Sequence, residues 1–272
     1  MTRKVKGRLL WTAAAACLLL LMAAAGAGIA PHDPYQVNLD AALLPPGGDF
    51  PLGTDRYGRC VLSRVIAGAR VSVLAALALV GCSVVVGGIV GMVGGWLGGR
   101  ADNLLMRLAD IFLSFPGLVF AIAVASVLGG GLASAVIALT CISWPKYARL
   151  MRSQVLQLKN EPYIRLAHFN GLRGMRLLVK YILPIAVRPL LIMGSNDLGT
   201  MLLELAGMSF LGLGVQPPEA EWGLMMAGGR SLLQLAPWAL FAPGAAIFIT
   251  VSVFNLLGDA LRDALAPQQS ID

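Results

Sequence analysis

Long uncharged stretches are the feature of this sequence that most limits its fold. Residues 71–97 and 232–258 contain no Asp, Glu, Lys or Arg, and each exceeds the roughly 20 apolar residues that a helix needs to cross a bilayer. Of the 272 residues, 57% are hydrophobic and 13% are charged, whereas about a quarter of the residues in soluble domains are charged. The sequence therefore predicts an all-α polytopic membrane protein, because helices satisfy their own backbone hydrogen bonds in lipid.

The apolar runs predict about six transmembrane helices. Basic residues precede the first run, which we interpret as a retained N-terminal anchor (residues 1–30), with a cleaved signal peptide as the alternative. A loop at residues 31–70 separates the anchor from one transmembrane domain at residues 71–263. The predicted spans are residues 9–30, 71–97, 104–128, 132–156, 190–213 and 232–258. Glycines at 87, 88, 91, 94 and 95 predict a smooth face for close helix packing on the second span.

The distribution of basic residues predicts the orientation. With the N-terminus inside, all but five of the 21 Lys and Arg residues fall in inside segments. The five outside residues are Arg56, Arg59, Arg64, Arg70 and Arg230. Because cytoplasmic loops carry the excess of Lys and Arg, we expect a cytoplasmic N-terminus and a periplasmic 31–70 loop. The net charge of +7 then reflects membrane topology rather than nucleic-acid binding.

The most basic inside segment is "KNEPYIRLAHFNGLRGMRLLVKYILP", residues 159–184. Its apolar spacing predicts two short helices with a break near Gly171 and Gly174. Proline is tolerated in the first turn of a helix, so Pro184 is expected to open the fifth span. Composition alone leaves two alternatives for this segment, a solvated loop or an interfacial helix on anionic lipid.

Three motifs resemble one transporter family. The segment 159–184 resembles the "EAA" loop of ATP-binding cassette importer permeases, which is Glu-Ala-Ala, three residues, Gly, and a terminal Ile-Leu-Pro. The matching residues are Ala167, Gly171, Ile182, Leu183 and Pro184, and Arg165 and Leu166 replace the Glu and the first Ala. "LGTDRYGRCVLSRVIAGARVSV" (52–73) and "AGMSFLGLGVQPPEAEWGLMM" (206–226), followed by "FNLLGDALRDALAP", are similar to C-type permeases of dipeptide, oligopeptide and nickel importers.

The resemblance implies a type I importer permease fold and a set of partners. The expected partners are a homologous second permease, two ATPase subunits and an extracytoplasmic solute-binding protein, in a bacterial inner membrane. The implied ATPase-coupling residues are Arg165, Ala167, Gly171, Arg173, Arg176, Ile182, Leu183 and Pro184. ATP and Mg²⁺ are expected on the ATPase subunits, with no cofactor in this chain. The sequence contains no GxxxxGK[ST] loop, as expected of a non-catalytic subunit.

Two carboxylates in the fifth predicted span mark a candidate translocation path. Asp197 and Glu204 are seven residues apart and therefore lie on nearly the same helix face. Carboxylates inside a bilayer face a partner or a watery cavity, so structural pairing within the bundle is the alternative. The candidate path residues are Asn196, Asp197, Met201 and Glu204.

Two outer segments are candidate contacts for a solute-binding protein or a gate. Residues 59–70 predict an amphipathic helix on the outer membrane surface, which serves either as a docking rim or as a simple anchor. The double proline at 217–218 predicts an ordered outer loop. The candidate contact residues are Arg59, Arg64, Glu219, Glu221 and Trp222, and Trp222 is alternatively an interfacial belt residue.

The sequence leaves two classes of cargo possible and raises two alternatives to the importer function. "AGMSFLGLGV", "AEWG" and "WPKYARLMRS" resemble the nickel or metal-chelate branch, and di- or oligopeptide import is the alternative. The chain has only two histidines, His32 and His168, so no His-built metal site is predicted in the membrane. A stand-alone secondary transporter is expected to show an internal repeat, and an intramembrane enzyme would require a nucleophile beside Asp197 and Glu204. We find neither feature.

Overall fold

The computed structural model describes the backbone of residues 3–169, 172 and 174–265, and their side chains except those of residues 3, 4, 165, 168 and 169. Gly171 and Arg173 of the predicted coupling loop, and the side chain of Arg165, lie outside this set. The α-helices are α1 (Arg3–Ala25), α2 (Val61–Leu97), α3 (Gly99–Leu113), α4 (Gly117–Val127), α5 (Leu132–Lys159), α6 (Pro162–Phe169), α7 (Met175–Leu177), α8 (Leu183–Phe210), α9 (Trp222–Arg230) and α10 (Trp238–Leu265).

Close helix contacts define two ends of the bundle. Helices α2 and α5 run in the same direction, because Gly87 meets Tyr147 and Gly95 meets Val155. Helix α8 runs the opposite way and brings Gly194 against Val80 of α2. Residues 26–60 and 211–237 form one end, which we call the loop end. The described residues between 159 and 182 form the other, which we call the coupling end.

Each of the six predicted spans corresponds to a helix or a helix pair, but not all of them are apolar enough on their own to cross a membrane. Four helical segments are long and apolar enough to cross a membrane, and a bent pair raises the number to five among the described residues. The four are Val5–Ile29, Val61–Leu97, Met175–Phe210 and Trp238–Leu265, and the pair is Gly99–Leu113 with Gly117–Val127. The pair bends by 92° at Pro116, which cannot continue the α3 hydrogen-bond ladder. The predicted fourth span forms α5, whose Lys146, Arg149 and Arg152 lower its hydropathy.

The predicted surface helix at residues 59–70 does not exist as a separate element. Helix α2 is continuous over its 37 residues, and Ser63, Arg64 and Gly68 in its first turns are buried. This part of α2 therefore packs into the loop end instead of lying on the membrane surface. Pro184 lies in the first turn of α8, as expected, but the helical segment begins earlier. Helix α7 passes through a π-helical turn, Leu178–Ile182, directly into α8, so Pro184 lies inside a longer helical segment.

Small residues hold α2 against α5, as the glycine pattern predicted. A Cβ atom at Gly87 would overlap the carbonyl oxygen of Trp144, and one at Gly91 would overlap that of Ala148. At Gly95 a Cβ would come within 3.0 Å of the Val155 Cβ atom. Lipid tails are as apolar as the helices, so close van der Waals packing of this kind stabilises the pair. The contact fixes the position of the polar residues on α5.

Candidate functional site

A charged cluster lies halfway along α5 and α8. The Lys146 ammonium is 2.8 Å from Asp197 Oδ2, and the Tyr147 hydroxyl donates a hydrogen bond of 2.6 Å to the same oxygen. Tyr147 is fully buried, whereas the Lys146 and Asp197 side chains remain 32% and 19% exposed. The ion pair therefore borders an accessible surface instead of the packed core. Sequence reasoning missed Lys146 and Tyr147, although a cation ending the uncharged run 111–145 was a usable signal.

The antiparallel register of α5 and α8 extends this cluster into a polar strip. Tyr147 pairs with Asp197, and one turn further Ser143 donates a 3.6 Å hydrogen bond to Met201 Sδ. The same register sets Thr140 opposite Glu204. Among the described residues, Thr140 Oγ1 and Glu204 Oε2 are both buried and without a hydrogen-bond partner. We call Thr140, Lys146, Asp197, Thr200 and Glu204 the polar strip.

The structure separates the four predicted path residues. Asp197 and Glu204 lie on the polar strip, as their spacing predicted. Asn196 packs against Gly258 and lines a cavity of about 430 Å³ together with Asp197 and Arg262. Met201 is 1% exposed and belongs to the apolar core, so its side chain has no open space in front of it. The sequence spacing found the shared face but did not show which residues on it turn inward.

The coupling end has a buried apolar side and an exposed side. Ile164, Ala167 and Ile182 are buried in one apolar cluster with Met151 and Val155 of α5. The exposed residues, which we call the coupling surface, are Tyr163, Leu166, Met175, Arg176, Val179 and Lys180. Leu166, which replaces an alanine of the EAA pattern, is 63% exposed. Pro184 is exposed and Leu183 is partly buried beside this surface.

Two cations of α5, Lys159 and Arg152, bind groups on α2 and α3 near the coupling end. The Lys159 ammonium donates to the carbonyl oxygens of Gly95 and Trp96, at 3.3 and 2.9 Å. A cation at a helix C-terminus satisfies free carbonyls and favours the helix dipole. Arg152 donates to both carboxylate oxygens of Asp102 at the start of α3, at 2.5 and 2.6 Å. These contacts tie α5 to the end of α2 and the start of α3.

Arg64 is buried in the loop end and contacts both of its loops. It is 4% exposed and donates to the carbonyl oxygens of Pro34 and Glu219, at 2.9 and 3.1 Å. Its Nε atom lies 3.8 Å from Asp55 Oδ2. Arg64 therefore joins the 31–60 loop to the 211–221 loop. This burial corrects the prediction of an external contact.

Glu221 and Trp222 are also internal. Glu221 is 0% exposed and caps α9, accepting hydrogen bonds from the backbone amides of Gly223 and Leu224. The Ser72 hydroxyl lies 3.2 Å from the same carboxylate. Trp222 is buried and its indole donates to the Val65 carbonyl at 2.9 Å. Neither residue is a surface contact, and Trp222 is not an interfacial belt residue.

Arg59 and Glu219 remain near the surface of the loop end. Arg59 pairs with Asp55 at 2.7 Å and lies over the Tyr57 ring. Glu219 is exposed and accepts a hydrogen bond from the Tyr35 hydroxyl at 3.3 Å. Partial burial, together with the Glu219 charge, raises the pKa of Tyr35. Asp55, Arg56, Arg59, Arg64 and Glu219 contribute the charged lining of a cavity of about 510 Å³.

In the part of the chain that the structure describes, no group of three or more His, Cys, Asp or Glu side chains is placed to hold a metal ion. The four cysteines are free thiols.

Comparison with known proteins gives consistent matches. The family model described as "Binding-protein-dependent transport system inner membrane component" matches residues 83–271. The di/tripeptide transport system permease protein DppC of Pseudomonas aeruginosa is 41% identical, over 88% of this chain and 81% of its own length. The nickel transport system permease protein NikC of Escherichia coli is 40% identical, over 87% of this chain and 86% of its own length.

Solved structures share the fold at low sequence identity. One chain of the MetNI methionine ABC transporter in an inward-facing conformation matches with a TM-score of 0.54 and 20% identity, covering 72% of this chain and 95% of its own. A chain of an amino acid ABC transporter with histidines matches with a TM-score of 0.57 and 17% identity, covering 74% and 94%. At these identities the likeness concerns the fold alone.

Proposed function

The chain belongs to the family of binding-protein-dependent transport system inner membrane components, and on that premise we propose how its parts divide the work of import. It is a non-catalytic permease subunit of an ATP-driven importer in the dipeptide, oligopeptide and nickel group. We propose that it pairs with a homologous second permease, two ATPase subunits that hold ATP and Mg²⁺, and an extracytoplasmic solute-binding protein. We also propose that its N-terminus is cytoplasmic in a bacterial inner membrane.

The coupling surface is the proposed docking site for an ATPase subunit. It combines exposed apolar side chains, such as Tyr163 and Leu166, with the cations Arg176 and Lys180. Its opposite side is anchored in the apolar cluster with α5. This arrangement supports the proposal that an ATPase subunit binds the exposed side. A movement of that subunit would then reach the helix bundle through the buried side. Gly171, Arg173 and Arg165 keep the proposed coupling role that the EAA resemblance implies.

The polar strip is the proposed wall of the translocation path. Exposed polar and charged groups at this depth are unfavourable against lipid, and the alternatives are a water-filled path or a facing subunit. Alternating access requires two bundle states that the cargo and ATP favour differently. Three residues of the strip, Asp197, Thr200 and Glu204, lie on α8, which continues from α7 at the coupling end. Movement of the coupling surface is therefore transmitted directly to the strip.

The loop end is the proposed receiver for the solute-binding protein. Arg59 and Glu219 are the predicted contact residues that remain near its surface, beside the cavity that they line. Arg64, Glu221 and Trp222 support this surface from inside. The cargo belongs to one of two proposed classes, nickel as an ion or chelate, or a di- or oligopeptide. Relatives of both classes are similar over most of the chain.

The docking role is tested by co-purification with the ATPase subunits. We expect Leu166→Asp to lower ATPase co-purification at least tenfold, because a carboxylate replaces an exposed apolar contact, while membrane insertion persists. Asn160→Asp is the matched control, since it adds the same charge at an exposed position outside the coupling surface. Full co-purification of the ATPase with the Leu166 variant would contradict the docking role.

A further inference from the structure

The polar strip is unbalanced in charge. The charge of Lys146 is neutralised by Asp197, which also accepts a hydrogen bond from the Tyr147 hydroxyl. Glu204, in contrast, makes no ion pair with any described residue, and its Oε2 atom has no hydrogen-bond donor. A carboxylate at this depth is unfavourable unless a cation or several donors face it. The strip therefore lacks one positive, hydrogen-bond-donating group.

A second unpaired polar atom, a hydroxyl oxygen, lies in register with Glu204. Thr140 Oγ1 on α5 is buried and has no hydrogen-bond partner among the described residues. The pairs Tyr147–Asp197 and Ser143–Met201 set the register that carries Thr140 to the level of Glu204. Buried polar atoms in proteins are almost always hydrogen-bonded, so two unpaired ones at one level indicate a missing ligand. The exposed Thr200 lies one turn from Glu204 on the same strip.

The chemistry of these groups selects the missing ligand. An ammonium group has three donors and no acceptor, which suits one carboxylate and one hydroxyl oxygen. Calcium and magnesium require about six oxygen ligands, and zinc typically binds three or four N, O or S ligands. A carboxylate ligand would be repelled by Glu204. A protonated amine is therefore the best match.

We propose that Glu204, assisted by Thr140, binds the protonated amino group of the cargo during its passage. This inference rests on the proposed function, because the strip must line the path. It assigns the cargo to amine-bearing molecules and favours a peptide with a free amino terminus over nickel. A lysine or arginine of the second permease is the competing occupant, and the experiment separates the two.

The test uses the complete importer, this chain with its partner subunits and binding protein, reconstituted in liposomes. Initial ATP-dependent uptake is measured for a labelled dipeptide, for its N-acetyl analogue and for labelled nickel. We expect Glu204→Gln to slow free-amine uptake about tenfold, since a charge-assisted hydrogen bond is lost, and to leave N-acetyl uptake unchanged. Glu204→Asp is expected to restore part of the rate. Asp259→Asn, which removes a half-exposed carboxylate on α10, is the matched control and is expected to behave as wild type.

Each contrary outcome has a distinct meaning. Equal slowing of both dipeptides, or no slowing of either, overturns the amine site. If the Glu204→Gln complex loses its second permease, the amine site is overturned, and Glu204 instead contacts a lysine or arginine of that subunit. The amine site is also overturned if the wild-type importer takes up nickel and does not take up the dipeptide, because nickel carries no amino group. Absence of ATP-dependent uptake of every cargo by wild type instead refutes the proposed function itself.

Discussion

At the scale of single residues, buried charges determine which contacts this chain makes internally and which it offers to partners. In the sequence, Arg64 and Glu221 are candidates for external contacts, and Lys146 is not singled out. The structure pairs each of them within the chain, and the exposed residues Glu219, Arg56 and Leu166 remain for partners. Removing an internal charge should therefore lower stability, whereas removing an exposed one should not.

Arg64→Met tests the internal role of the loop-end arginine. We expect a loss of about 3 kcal/mol in the free energy of unfolding, because two carbonyl oxygens and Asp55 lose a buried donor. The measurement is thermal unfolding of the purified chain in detergent. Arg56→Met, at an exposed position of the same loop, is the control and should change stability by less than about 0.5 kcal/mol. Equal stability of the two variants would disprove the internal role of Arg64 in joining the two loops.

Lys146→Met tests the ion pair between α5 and α8. The variant leaves Asp197 with only the Tyr147 hydroxyl, and we expect a destabilisation of about 1 kcal/mol, because the ion pair is partly exposed. Lys146→Met with Asp197→Asn removes both charges, and we expect it to recover most of that loss. The double-mutant cycle on unfolding free energies gives the coupling directly. Strictly additive losses would show that the two charges do not interact.

At the scale of helices, the α2–α5 contact depends on glycine. Gly91→Ala would set a methyl group into the Ala148 carbonyl, so the helices must separate. We expect a loss of about 2 kcal/mol, typical of overpacking. Gly81→Ala is the matched control on the same helix, because nothing lies within 4 Å of its added methyl group. It should leave stability unchanged or raise it by up to about 1 kcal/mol, as replacing a helical glycine by alanine does. A stable Gly91 variant would contradict the packing described.

Helix bounds were predictable only where local signals were strong. The uncharged run 71–97 and the glycine spacing located α2, but nothing local in residues 59–70 showed that the helix begins at Val61 as part of the same element. Pro116 divides the predicted third span into α3 and α4, because proline cannot continue the α3 hydrogen-bond ladder. Pro184 lies in the first turn of α8, as its start signal predicted, but nothing local showed that the helical segment already begins at Met175.

At the scale of the whole molecule, sequence motifs identified the family, whereas tertiary contacts define the proposed sites. The EAA resemblance located the coupling end, and the spacing of Asp197 and Glu204 located the strip. The partners Lys146, Tyr147 and Thr140 lie about 50 or more residues away in sequence, so no local pattern connects them to α8. The internal roles of Arg64, Glu221 and Trp222 likewise depend on loops that meet only after folding.

The central claim is that this chain completes an ATP-driven importer as its permease. The most direct test is uptake of labelled dipeptide and labelled nickel by cells that express all partner subunits, with and without this chain. We predict that ATP-dependent uptake of one of these cargoes is lost without the chain and returns when the chain is restored. Uptake of both cargoes that persists without it, or transport by the chain without any ATPase subunit, would contradict the claim.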